Sequence, residues 1–110
     1  MIILFATNDL EKVCTNRSSA VKKYNLVRAK LITRRLDDLL AADNLAVMRT
    51  LTGKCHELGE DRKGQLAVHL DGQWRLIFVP ANDPLPHKND GGLDWAQITS
   101  VKIIEIGDYH

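Results

Sequence analysis

The chain has 110 residues, a net charge of +1, 45% hydrophobic residues and 26% charged residues. That length suits one domain with one modest core, and so even a charge balance gives no global argument for nucleic-acid binding. Cys14 and Cys55 are too few for a disulfide framework, which points to a reducing, cytoplasmic setting.

The opening MIILFA is apolar for only six residues, lacks a basic flank and runs straight into Asn8-Asp9. It is too short for a secretory leader or a membrane span and is expected to be a strand. Asn8 to Asn16 reads as a separate helical turn capped by Asn8 or Asp9. Ser18 or Ser19 is expected to cap a long helix running to about Ala42. Its apolar stripe is Tyr24, Val27, Leu31, Ile32, Leu36, Leu39 and Leu40, spaced by threes and fours. Lys23, Lys30, Arg34 and Asp37 fall on its wet side. Asp43 or Asn44 caps another short helix, LAVMRTL, which stops at Gly53.

After residue 64 the period changes to two. Leu66, Val68 and Leu70 alternate with Ala67 and His69, and Asp71-Gly72 predicts a hairpin turn. The return strand is Gln73 to Val79, with Trp74, Leu76 and Phe78 on one face as core and Arg75, Ile77 and Val79 on the other. Pro80, Pro84, Pro86, Gly91 and Gly92 make residues 80–94 a loop, the one stretch expected to be disordered. Trp95 is expected to anchor the loop's end on the sheet, and the last strand is Ile98 to Ile106. A strand, then helices, then a hairpin and a final strand give an α+β fold. Its helices pack on a small, mostly antiparallel sheet within a single domain over residues 1–110.

Charge is unevenly spread. Residues 8–42 hold eight Lys/Arg against four Asp/Glu, and residues 80–110 hold two against five. A basic helical part beside an acidic tail can steer an anionic ligand, although a solvated helix face gives the same pattern.

The histidines and cysteines form neither CxxC nor HxxxH pairs, so no metal site and no cofactor are expected. There is no glycine-rich phosphate loop and no GxSxG. Two polar clusters remain. One is CHELGEDRKGQ, residues 55–65, with His56, Asp61, Arg62 and Lys63 just before the hairpin. The other is the terminal Asp108-Tyr109-His110. Histidines near neutrality serve as base and acid, a carboxylate orients an imidazole, and Lys63, Arg62 and Arg75 suit a phosphate. These groups suit metal-free phosphodiester transfer in RNA, although a turn-capping His56 and a merely polar chain end give the same pattern. The final strand is expected to deliver its three terminal side chains to a concave face opposite His56, with Tyr109 stacking on a base or bonding a phosphate. His69 is expected to point to solvent or across the sheet, and His87 to be solvated.

CHELGEDRKGQLAVHLDGQWRLIF together with the terminal DYH resembles the HigB-like killer toxins of the RelE/ParE superfamily. The matching positions are His56, Leu58, Asp61, Lys63, Gly64, Trp74, Arg75, Leu76, Phe78, Asp108, Tyr109 and His110, and NDLEKVCT near the start is similar to a family segment. Gly59 stands where many members carry lysine. The resemblance implies a RelE-like α+β fold and the toxin of a type II toxin–antitoxin system. It implies a ribosome-dependent, metal-independent mRNA endoribonuclease that cuts by 2′-OH attack and so inhibits translation. On it His56, Asp108, Tyr109 and His110 are catalytic, and Arg75 contacts phosphate. The implied partners are a helix-turn-helix, HigA-like antitoxin, the ribosome with its mRNA, and operator DNA through the toxin–antitoxin complex, with no membrane. The alternatives are a toxin of the same fold that acts by protein binding, as the gyrase-targeting branch does, a catalytically weakened relative, and an unrelated small α+β domain, such as a regulatory partner, in which the motifs match by accident.

Overall fold

The computed structural model describes residues 1–108. Within them each α-helix starts at a side-chain oxygen that satisfies an orphan backbone N–H, as helix starts require. Thr7 Oγ1 accepts from Leu10 N at 3.1 Å and opens α1, Asn8–Thr15. Asn16 Oδ1 accepts from Ser19 N at 3.0 Å and opens α2, Arg17–Lys23. Asn25 Oδ1 accepts from Arg28 N at 2.8 Å and opens α3, Leu26–Ala41. Asn44 caps a 3₁₀ turn, Leu45–Thr50.

The long helix expected from Ser18 or Ser19 to Ala42 is therefore two helices. Tyr24 leaves helical geometry at φ −116° and ψ −95°, and Asn25 begins anew from extended backbone. The break also resets the helical phase. Ala29, Ile32, Arg35, Leu36 and Leu39 form the inward face of α3, while Val27 and Leu40, expected in the stripe, are 61% and 54% exposed. Lys23, Lys30, Arg34 and Asp37 are exposed as the pattern required.

The strands are β1 (Ile2–Phe5), β2 (His56–Glu57), β3 (Leu66–His69), β4 (Trp74–Pro80) and β5 (Ser100–Asp108), in the sheet order β1-β5-β4-β3-β2. Only β1 and β5 run parallel. The last strand starts at Ser100 rather than Ile98, which ends a 3₁₀ turn at Trp95–Gln97. The hairpin loop is three residues, Asp71-Gly72-Gln73, closed by Leu70 N to Trp74 O and Trp74 N to Asp71 O, both 2.9 Å. Gly72 supplies the positive φ of 55° that this turn needs.

The helices cover one face of the sheet. Ile32, Leu36 and Leu39 pack there with Leu66, Val68, Leu76, Phe78, Val101 and Ile103. The opposite face has its own small apolar cluster of Leu58, Ala67 and Ile77, joined by Ile104. A bulge makes both faces possible: Phe78 pairs with Ile103 but Ile77 pairs with Glu105, so the register skips Ile104. Ile103 thus points into the core while Ile104 packs outside.

Residues 81–94 carry their own hydrogen bonds, in contrast to the disorder expected of them. Asn82 braces Thr99 and Ser100, Lys88 N donates to Gly92 O at 2.8 Å, and His87 bridges Leu93. Trp95 closes the loop as expected. It is buried, its indole N–H donates to Glu57 Oε2 at 3.0 Å, and the Arg49 guanidinium lies 4.0 Å from its ring centroid. No helix among the described residues is long and apolar enough to cross a membrane.

Candidate active site

Strand alternation decides which polar side chains meet. On the face away from the helices, His56, Ala67, Ile77 and Glu105 form one cross-strand row. His69, Arg75 and Gly107 form the next. The rings of His56 and His69 lie diagonally across β2 and β3, with centroids 5.5 Å apart and planes at 59°. This face gathers two imidazoles and a guanidinium above a floor of Ala67 and Ile77.

His56 is exposed, and its Nδ1 lies 2.9 Å from Lys54 O. A carbonyl only accepts, so Nδ1 carries the hydrogen, and in the neutral ring the Nε2 lone pair faces outward. The carbonyl is turned toward the ring by Lys54, which has a left-handed φ of 53°. A non-glycine residue in that region stores backbone strain, a recurrent feature of functional segments.

Arg75 is half-buried, and one of its terminal nitrogens, Nη1, donates to Gly72 O at 3.2 Å and Trp74 O at 3.0 Å. It is the direct cross-strand partner of His69. The His69 imidazole is pushed below its ordinary pKa first by burial, then by the charges of Arg75, His56, Lys54 and Arg35. It therefore favours the neutral ring. The sequence pattern had not assigned His69 a role. The usable signal was its position two residues before Asp71-Gly72, which puts it opposite Arg75 once the hairpin loop takes in Gln73 as a third residue.

The remaining predicted site residues separate. Lys63 is exposed and ends the 3₁₀ turn Glu60–Arg62. Arg62, expected on substrate, instead holds the Glu105 carboxylate through two bonds of 3.0 and 3.2 Å and Gln65 Oε1 at 3.0 Å. Its charge is compensated, and it fastens the pre-hairpin loop to β5. Gly107 makes room for this pair, because a Cβ there would stand 2.7 Å from Glu105 Oε2.

Asp108 is exposed and pairs in register with Trp74. Trp74 packs on the helix side, edge-to-face with Tyr24 at 5.4 Å and under Arg28 at 4.1 Å. Asp108 is thus on that side too, and three strand spacings, about 14 Å, separate β5 from β2. The expected shared face of His56 and Asp108 is corrected by this register. The bulge at Ile104 shifts the parity of everything after it. Tyr109 and His110 lie outside the described residues. Among the described residues, no three His, Cys, Asp or Glu side chains group as metal ligands.

No protein-family model matches the chain, and no curated protein matches it by sequence. Solved structures do. A YoeB/ParE toxin from Agrobacterium tumefaciens is similar with a TM-score of 0.62 at 8% identity, over 100% of both chains. A YoeB-YefM complex from Staphylococcus aureus is similar with a TM-score of 0.57 at 15% identity, over 100% of this chain and 97% of the other. The helix-covered five-stranded sheet of this chain is the fold of the YoeB/ParE-type toxins.

Proposed function

We propose that the protein is a HigB-like toxin of a type II toxin–antitoxin system, a ribosome-dependent endoribonuclease that cleaves mRNA and stops translation. The observation that carries this reading is the outer face of the sheet. There His56, exposed and anchored through Nδ1, stands on the same surface as Arg75. The likeness of the fold to YoeB/ParE toxins supports a toxin role. Seating of one solved neighbour in a complex with YefM supports an antitoxin partner for this chain. The reading gives it a helix-turn-helix, HigA-like one, operator binding through the complex, and a cytoplasmic site of action.

The chemistry follows from the residue types. A neutral imidazole takes the proton from a ribose 2′-OH, O2′ bonds to phosphorus, and the P–O5′ bond breaks. An acid then protonates O5′, leaving a 2′,3′-cyclic phosphate and a 5′-hydroxyl. Arg75 and Lys63 steady the phosphorane charge. His56, Tyr109 and His110 are the proposed acid, base and orienting groups, Asp108 lies on the helix side of the sheet and takes no part beside His56, and Arg62 keeps the loop in place. The ribosome supplies the alignment of the mRNA backbone.

The test is inducible expression in a bacterial host, comparing wild type with His56→Ala, Arg75→Ala and His110→Ala. Growth and primer-extension ends on a translated mRNA are scored. Growth arrest with new in-frame ends, abolished by the substitutions, is the expected result. Growth arrest without ends, unchanged by any substitution, refutes cleavage and leaves a toxin that acts by protein binding.

A further inference from the structure

We propose that His69 is the second imidazole of this site, a proton acceptor beside His56 and Arg75, and that Arg35 positions it from the helix layer. The proposal rests on the endoribonuclease reading above and extends it to two residues that the sequence did not single out.

The backbone of His69 is held from both sides. Its N–H donates to Gly53 O at 2.7 Å, and its carbonyl accepts from Arg35 Nε at 2.7 Å. Arg35 is the one charged residue of α3 turned into the core, 7% exposed. Its Nη1 reaches Thr52 Oγ1 at 3.4 Å, and it makes no ion pair among the described residues. A guanidinium buried against neutral oxygens costs desolvation that no carboxylate offsets. The fold spends that burial at the strand end that carries His69, where the Gly53 carbonyl already holds the His69 N–H and Arg75 stands opposite in the hairpin. Gly53 makes the approach possible, since a Cβ there would stand 3.0 Å from Arg35 Cδ.

Among the described residues, the groups whose charge acts on the His69 ring are cationic or imidazole: Arg75 from β4, His56 from β2, Lys54 from the loop before β2 and Arg35 from α3. They and burial keep the ring ready to accept a proton at neutral pH. In the reaction His69 takes the 2′-OH proton as the O2′–P bond forms. The leaving O5′ takes its proton from the site's imidazolium acid as the P–O5′ bond breaks. An arriving phosphate then stabilises the charge that His69 acquires.

The experiment uses the full chain in single-turnover cleavage of mRNA on programmed ribosomes across a pH series, with the imidazole titrations followed by NMR. His69→Gln is expected to lower the rate by about 10²–10⁴-fold. In wild type the rate rises with pH through the His69 titration, passes a maximum and falls as the imidazolium acid loses its proton. Arg35→Met moves both the His69 titration and that rising limb to higher pH, and Arg35→Lys restores the limb in part. Thermal melts establish that each variant is folded, and Arg35→Lys carries the test if Arg35→Met is not. A wild type that cleaves beside a His69→Gln variant of equal rate overturns the proposal and leaves the nuclease reading intact. A His69 titration and a rate limb both unmoved in Arg35→Met overturn the positioning role. A wild type that does not cleave on ribosomes overturns the nuclease reading and this proposal with it.

Discussion

Gly53→Ala tests the packing that fixes the site. The new Cβ would stand 3.0 Å from Arg35 Cδ, 3.1 Å from Arg35 Nε and 3.5 Å from Val68 Cβ. Ordinary carbon contacts are about 3.5–4.0 Å, so Arg35 must retreat by roughly half an ångström. It has little freedom to do so, being 7% exposed and bonded to His69 O at 2.7 Å. Overpacking of this kind costs about 1–3 kcal/mol. The φ of Gly53 is not positive, so alanine also removes unfolded-state freedom, a gain of about 0.4–1 kcal/mol. The net expectation is a loss of about 1.5 kcal/mol, or roughly 6–12 °C in melting temperature for a domain of this size. Urea unfolding measures it as a lower midpoint at an unchanged slope. In an Arg35→Ala background the same substitution should be neutral or stabilising, a coupling of about 1–2 kcal/mol. An equal cost in both backgrounds, or no cost in the first, refutes the claim that Arg35 is wedged between Gly53 and His69.

Phe78 is fully buried in the main core, and Phe78→Ala should cost about 3–5 kcal/mol in urea unfolding. Asp71 accepts two bonds of 2.9 Å from Arg28, and that hydrogen bonding holds its carboxyl below the usual carboxylate range. A depressed folded-state pKa contributes stability above the unfolded value near 3.9 that is lost as pH falls through the lower folded value. Asp71→Asn should thus cost about 1 kcal/mol at pH 7, with the gap to wild type closing below about pH 4 in a pH series of melts. Burial pushes the Cys14 thiol up to about 11 and the Cys55 thiol up to about 12. The native protein should therefore react with a thiol reagent at pH 8 far more slowly than the urea-unfolded chain; equal rates would mean that the thiols are accessible.

Much of the fold follows from local pattern. The alternation of Leu66, Val68, Leu76 and Phe78 around Asp71-Gly72 fixes the hairpin and its core face, because a period of two admits only one inward set. Trp95 declared itself an anchor by standing alone after a loop of prolines and glycines. His56 and Arg75 were singled out by residue types that suit acid–base and phosphate chemistry and by a family resemblance, and the sheet register puts them on one face. What local pattern did not contain was phase. Asn25 restarts the helix and rotates α3, which takes Val27 and Leu40 out of the core and puts Arg35 in. Nothing in spacing alone separates a helix that continues from one that stops and begins again. The bulge at Ile104 likewise sets the parity of β5, so that Glu105 joins the His56 row and Asp108 the Trp74 side. A single skipped residue is invisible in a run of β-branched side chains, yet it reverses every side chain beyond it. The pairing of Arg62 with Glu105 and the reach of Arg35 to His69 join residues 43 and 34 positions apart. Such contacts exist only once the sheet has closed and the helices have docked, which is why composition and periodicity named the kinds of groups at this surface while tertiary structure chose which of them meet.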